Sequence, residues 1–348
     1  MRSPPRSSSD TPSAVVSLDD DVHSTLAGPT GASSDTSAPD PVGKLGRYLV
    51  HERLGAGGMG IVYSAFDPKL DRSVALKLLH RGGGGSLSGG SDARLLREAQ
   101  ALARLSHPNV VAVHDVGTID DRVFVAMELL GGGTVSAWQK GRRWQDVLDI
   151  YVRAGRGLAA AHDAGLVHGD FKPDNVLLGS DGRPRVVDFG LARHVDRAPE
   201  PPTERQPAAD DLHITRTGAH AGTPAYMAPE QHLGEEPGPA ADQFAFCVAL
   251  YEGLYDRRPY PASTLANLVI AVLETEPQSP PSDTQVPSWV WRTIRRGMQR
   301  EPADRWPSMT ALLDVLARDP RARRRRVALA AIAFAGVGVA AWTAARAT

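Results

Sequence analysis

Between Val167 and Leu178 the chain reads Val-His168-Gly169-Asp170-Phe-Lys172-Pro-Asp-Asn175-Val-Leu-Leu, and Asp188-Phe189-Gly190 begins ten residues after that run. Two carboxylates and a carboxamide at this spacing suit phosphoryl transfer, which asks little of a protein beyond a few rigidly held groups. Asp170 is the carboxylate to orient an attacking hydroxyl; Asp188 and Asn175 are the oxygen donors to hold metal ions against phosphate. The apolar residues 176–178 and 186–187 read as short buried strands that fix the loops at their ends.

Upstream lies Leu54-Gly55-Ala56-Gly57-Gly58-Met59-Gly60-Ile-Val62. It falls between two strand patterns, not before a helix, which argues against a dinucleotide fingerprint and fits a glycine-rich hairpin lying over nucleotide phosphates. Val74-Ala75-Leu76-Lys77 follows as a strand. A lysine in so apolar a run is costly to bury without a counter-charge, and Glu98, inside the next helical pattern, is the natural partner. The alternative is a solvent-facing Lys77 on an edge strand and a surface Glu98.

The elements that must position these residues can be read from periodicity. Alternation marks strands at 48–50, 60–64 and 74–78, with two more at 110–116 and 123–128. A Gly/Ser stretch, 82–91, precedes a helix with apolar positions Leu95, Leu96, Ala99, Leu102 and Leu105, capped by Ser91 or Asp92. Beyond Gly133 the pattern is mostly helical: 144–164, 241–255, 265–274, 289–298 and 309–316. Strands first and helices afterwards imply an α+β fold of two lobes, a small antiparallel-sheet lobe with one main helix and a larger helical lobe. Cys247, the only cysteine among 348 residues, excludes an internal disulfide and falls in an apolar helical pattern, so it reads as core.

These motifs together resemble the eukaryotic-type (Hanks-type) protein kinases, and specifically the transmembrane Ser/Thr kinases of bacteria, over residues 48–316. The resemblance implies ATP as phosphoryl donor and Mg²⁺, with Mn²⁺ as a substitute, as its metal. It assigns Asp170 the hydroxyl proton and Lys172 the moving γ-phosphoryl group. Asn175 and Asp188 would hold the metal. Residues 54–60 and Val62 would cover the nucleotide, Ala75 would line its site, and Lys77 would face the α- and β-phosphates. Met127 would stand behind the adenine, and the backbone of Glu128 to Leu130 would bind its edge. Thr223, in Gly222-Thr223-Pro224, would shape the seat of an acceptor Ser or Thr. His168, Glu230, Asp242 and Arg305 would brace loops, Glu230 pairing with Arg305 and Asp242 holding the catalytic-loop backbone.

One departure stands out. Most kinases of this family carry arginine where Gly169 stands, and that arginine pairs with a phosphorylated activation-segment residue. Its absence predicts that activity depends little on phosphate at Thr215 or Thr217, the residues placed for autophosphorylation. A Thr215→Ala, Thr217→Ala double variant with nearly all activity gone would overturn this. The His-Gly-Asp order also occurs in small-molecule phosphotransferases of the aminoglycoside-kinase type. Lys172, Asp188-Phe189-Gly190 and the long 191–230 segment count against that reading. A catalytically weak pseudokinase scaffold is a third reading, disfavoured because every residue that the chemistry requires is present.

The formal net charge of −1 conceals an acidic head and a basic collar: residues 1–43 carry two Arg against six Asp, a local net of −4, and residues 321–326 carry five Arg. The head, 1–45, is Ser/Thr/Pro/Asp-rich and expected to be disordered. Residues 46–318 form the kinase domain, with lobes at about 46–130 and 131–318, and 319–326 form a basic juxtamembrane stretch. The uncharged run 327–345 is long enough to rise about 28 Å as a helix, near the hydrocarbon thickness of a bilayer. Arginines before it and Trp342 near its far end predict a single-pass inner-membrane protein with a cytoplasmic kinase domain and a short outer tail at 346–348. Gly336 and Ala340 would let two such helices pack as a homodimer. The remaining partners are protein substrates, and nothing in the charge pattern points to nucleic acid.

Overall fold

A computed structural model describes residues 43–57, 60–79, 89–120, 122–189 and 223–318. Residues 1–42 of the expected head, residues 191–222 of the activation segment with Thr215 and Thr217, Gly58, Met59, the basic collar and the membrane-spanning run lie outside the described residues; the last three residues of the head expected to be disordered, 43–45, instead form a strand paired with residues 48–50. Among the described residues no helix is long and apolar enough to cross a membrane.

Six antiparallel strands make the first layer: β1 (Gly43–Leu45), β2 (Tyr48–Gly57), β3 (Gly60–Asp67), β4 (Arg72–Leu79), β5 (Val113–Ile119) and β6 (Arg122–Glu128), in the spatial order β1-β2-β3-β4-β6-β5. Helix α1 (Gly89–Ala103) lies between β4 and β5 in sequence and packs on β5. It begins at Gly89, so Ser91 and Asp92 are inside it and not at its cap as expected.

Register explains the burial of the middle strand. Val62 and Val125 stand opposite Lys77, and Ser64 and Met127 opposite Ala75, so these residues share one face. That face joins Ala99 of α1 and Val187 in one apolar cluster. The other face carries Val74, Leu76 and Leu78 into a second cluster with Tyr48, Phe124 and Ala126. With both faces covered, β4 is buried continuously from Val74 to Leu79, and Lys77 is 2% exposed. Lys77 is therefore a central-strand residue, and the edge-strand alternative fails.

The segment expected to open the fourth strand at Val110 takes a different partner. Val111 N–H donates to Val186 O and Val186 N–H donates to Asn109 O. Residues 109–111 thus pair with the short ribbon of β7 (Val176–Leu178) and β8 (Pro184–Val186), and β5 begins only at Val113.

The second layer is helical: α2 (Val135–Trp138), α3 (Trp144–Asp163), α4 (Pro229–His232), α5 (Pro239–Tyr255), α6 (Leu265–Glu274), α7 (Ser288–Gly297) and α8 (Met309–Ala317). α5 is buried on almost every side, and α3, α7 and α8 pack against it. Cys247 on α5 is fully buried, and burial pushes its thiol far above the ordinary range, so it is core as expected. Thr264 and Ser308 cap α6 and α8, their hydroxyls accepting from Asn267 and Ala311 N–H.

Candidate active site

β4 and the segment that leaves β8 meet at the first ion pair. Lys77 Nζ lies 2.8 Å from Asp188 Oδ1. Burial pushes the Asp188 carboxyl up, but the adjacent Lys77 ammonium, with His168 and Lys172 adding to it, holds the group below the usual carboxylate range. Asp188 has φ +63°, a left-handed conformation that asparagine and aspartate tolerate better than other side chains. Glu98, the partner expected from sequence, stands half-buried on α1.

The second component is the loop between α3 and β7. His168 is fully buried, and its Nε2 lies 2.9 Å from Val187 O. Asp170 N–H donates to His168 Nδ1 at 3.2 Å, which assigns the imidazole proton to Nε2. Its ring sits between Phe171 and Phe189, with centroids 5.9 and 4.8 Å away. The histidine therefore orients the Asp170 backbone and the strand leading to Asp188 together. Asp242 on α5 completes the frame: its carboxylate accepts the backbone N–H of His168 (2.8 Å) and of Gly169 (2.7 Å), with His162 Nε2 2.8 Å away. Gly169 has φ +75°, where glycine carries no steric penalty.

Around Asp170 the polar groups converge. Lys172 Nζ lies 2.9 Å from Asp170 Oδ2. Asn175 Nδ2 donates to Asp170 O at 2.8 Å and to Oδ2 at 3.3 Å. With its nitrogen committed to Asp170, the Asn175 amide presents its oxygen away from that residue. Val187 N–H donates to Asn175 O at 2.9 Å, tying Asn175 to the strand end that carries Asp188. A carboxylate and a carboxamide oxygen are hard donors of the kind Mg²⁺ takes, one or two per ion with substrate phosphates supplying the rest. Among the described residues there is no cluster of three His, Cys, Asp or Glu that could hold a metal ion.

Above these polar groups lies an apolar shelf. Val62, Ala75, Met127 and Leu130, chosen from sequence, fall in one cluster; Leu177 and Val187, not chosen as site residues from sequence, belong to it as well. Leu54 projects from β2 and is 38% exposed. Gly60 has φ +148°, and a Cβ there would lie 2.2 Å from Leu78 O, so only glycine lets the hairpin return over β4. Glu128 carries more than a useful backbone. Its Oε2 lies 2.9 Å from Arg185 Nε on β8, and Arg185 also pairs with Asp181 at 3.0 Å. Because β6 belongs to the six-stranded sheet and β8 to the two-stranded ribbon, this pair links the two sheets.

The remaining braces meet near α4. Arg305 grips Glu230 at 2.7 and 2.8 Å with its side chain fully buried. Tyr226, in the turn Thr223–Tyr226, donates to Glu252 Oε2 at 2.6 Å. Gln231, also missed from sequence, donates to Gly169 O at 2.9 Å. No periodicity or motif signals a side-chain bond to a carbonyl 62 residues away.

Residues 48–316 match the family model described as protein kinase domain. The chain is 33% identical over 289 residues to the serine/threonine-protein kinase PknA of Mycobacterium tuberculosis, a match covering 80% of this chain and 62% of PknA. It is 34% identical over 278 residues to PknD of the same organism, covering 78% of this chain and 39% of PknD. Among solved structures, the M. tuberculosis PknI kinase domain superposes with a TM-score of 0.58 at 26% identity, covering 81% of this chain and 99% of that one. A match that runs from the first long strand to the last helix places the chain in the protein kinase domain family.

Proposed function

We propose that this chain is a Ser/Thr protein kinase that transfers the γ-phosphoryl group of ATP to protein hydroxyls. The observation that carries the reading is the Lys77–Asp188 pair at 2.8 Å, tied through the Val187 N–H to Asn175, which together with Lys172 bonds to Asp170. Asp170 accepts the proton of the incoming hydroxyl, and Lys172 places positive charge beside the moving phosphoryl oxygens. Asn175 and Asp188 would hold Mg²⁺, which when bound would supply positive charge against the phosphate oxygens. The shelf of Val62, Ala75, Met127, Leu130, Leu177 and Val187 takes the adenine, with the backbone of Glu128 to Leu130 at its edge. Thr223 borders the acceptor seat, which favours Ser or Thr over Tyr. The similarity to Ser/Thr kinases supports a protein acceptor over a small molecule.

The same proposal places the protein in the inner membrane. The support is the sequence of the 327–345 run and the five arginines just before it. Activity is tested by mixing the purified chain with labelled ATP, Mg²⁺ and a generic basic protein. Label transfer should fall about 10²–10⁴-fold in Asp170→Asn while nucleotide binding persists. Undiminished transfer in that variant would refute the assignment of the base.

A further inference from the structure

Gly169 precedes the catalytic aspartate and has no side chain with which to reach another element. Its two backbone polar groups are nevertheless both held by side chains from distant parts of the chain. Its N–H donates to Asp242 Oδ1 on α5 at 2.7 Å. Its carbonyl accepts from Gln231 Nε2 on α4 at 2.9 Å. The same Gln231 carboxamide turns its Oε1 to the Ala228 N–H, 3.0 Å away, closing the turn by which the chain enters α4. A small cavity of about 10 Å³ lies between Gly169, Tyr226, Gln231 and Asp242, so the two segments approach closely there.

We propose that Gln231 is a positioning residue, setting the segment Thr223–Ala228 against the catalytic loop at a fixed distance from Asp170. The reasoning rests on the proposed kinase reaction and deepens it. Three contacts anchor the acceptor-side segment: Tyr226 to Glu252, Glu230 to Arg305, and Gln231 to Gly169. The first two tie it to the helical layer. The third reaches the loop that carries the base. At neutral pH a carboxamide donates one way and accepts the other without charge, which an ionised carboxylate of the same length cannot do, and both actions are used. The coupling is therefore written into the neutral chain and needs no phosphate to close it.

The test uses the full chain with Gln231→Leu and Gln231→Glu. Gln231→Leu removes both bonds at similar size. It should lower kcat/KM for the protein acceptor about five- to tenfold, as expected for loss of the one bond that reaches the catalytic loop, with KM for ATP within twofold. Gln231→Glu keeps the acceptor for Ala228 but sets a carboxylate against the Gly169 carbonyl oxygen. Once protonated, that carboxyl can again donate to Gly169 O. Activity of Gln231→Glu relative to the unmutated chain should therefore rise as pH falls from 8 to 5.5, while the Gln231→Leu ratio stays flat. Hydrogen exchange of the 168–172 amides, which needs no turnover, should quicken in Gln231→Leu. Unchanged acceptor kinetics in Gln231→Leu, or a flat pH ratio in a folded Gln231→Glu, would overturn the proposal. An unmutated chain without any transfer to protein would instead refute the kinase reading, and the exchange measurement would still decide the role of Gln231.

Discussion

Replacing Arg305 tests how the acceptor-side segment is held. Its guanidinium makes five hydrogen bonds with none of the side chain exposed: two to Glu230, and one each to the carbonyls of Ala240, Gln299 and Arg300. It also lies over the Phe244 ring, 5.2 Å from its centroid. Arg305→Met would leave a buried carboxylate without its cation, a loss of about 3–5 kcal/mol, together with three carbonyls lacking their donors. Glu230→Gln is milder. The carboxamide still accepts from the guanidinium, and the three carbonyls still surround the arginine, so the cost should be about 1–2 kcal/mol. The asymmetry follows from the structure, since the arginine has other partners in that variant whereas the glutamate loses both of its bonds to Arg305. Guanidinium unfolding followed by tryptophan fluorescence measures it. Trp138, Trp144, Trp289, Trp291 and Trp306 all lie in the helical layer, and Trp306 adjoins the mutated residue. In thermal unfolding, 3–5 kcal/mol corresponds to roughly 6–20 °C for a lobe of this size. Equal losses in the two variants, or a larger loss in Glu230→Gln, would refute the reasoning.

Two further outcomes follow. Arg185→Ala removes a partly exposed pair with Glu128, worth about 1 kcal/mol after solvent screening. KM for ATP should rise about two- to fivefold with kcat within twofold, and steady-state kinetics showing kcat falling alone would show that the pair does not act through nucleotide binding. On acidification, Asp67 and Asp188 should both cost stability. Two hydrogen bonds from Arg47 hold the Asp67 carboxyl below the usual range, and Lys77 does the same for Asp188 against the opposing effect of burial. Folded-state values below the unfolded value of about 4 give stability that is present above that pH and lost as pH falls through the folded values. Unfolding free energies between pH 6 and 3 check the sign, and a rise in stability toward pH 3 would contradict it.

What the sequence disclosed and what it withheld divide along physical lines. α6 runs over the residues that its helical period marks, because a one-sided apolar stripe needs only local information. The relation of Asp242 to the catalytic loop and of Arg305 to Glu230 was readable through family resemblance, and the structure places both pairs in contact. The ion pair of Lys77 with Asp188 was not legible: apolar context says that a buried lysine needs a carboxylate, and spacing does not say which. Residues 110–111 have strand character, yet they bond to β8 because their partner is set by how the two layers meet. Glu128 was read for its backbone alone, since nothing nearby in sequence announces Arg185. Gln231 is the sharpest case, a neutral side chain whose partner is a carbonyl and therefore invisible to any pattern of residue types.

The doubly covered strand β4 has a consequence for how the molecule would report its own ligand. One side of it belongs to the shelf and the other to the interior of the sheet, with Lys77 on the shelf side. No residue from Val74 to Leu79 can yield without disturbing either the nucleotide's seat or the lobe's own cohesion, so melting the sheet and losing the seat are a single event. Nucleotide should therefore raise the melting point of the sheet in particular, by mass action. Because the tryptophans of the described residues all lie on the helical side, their emission would be blind to this gain, and exchange at the β4 amides would register it.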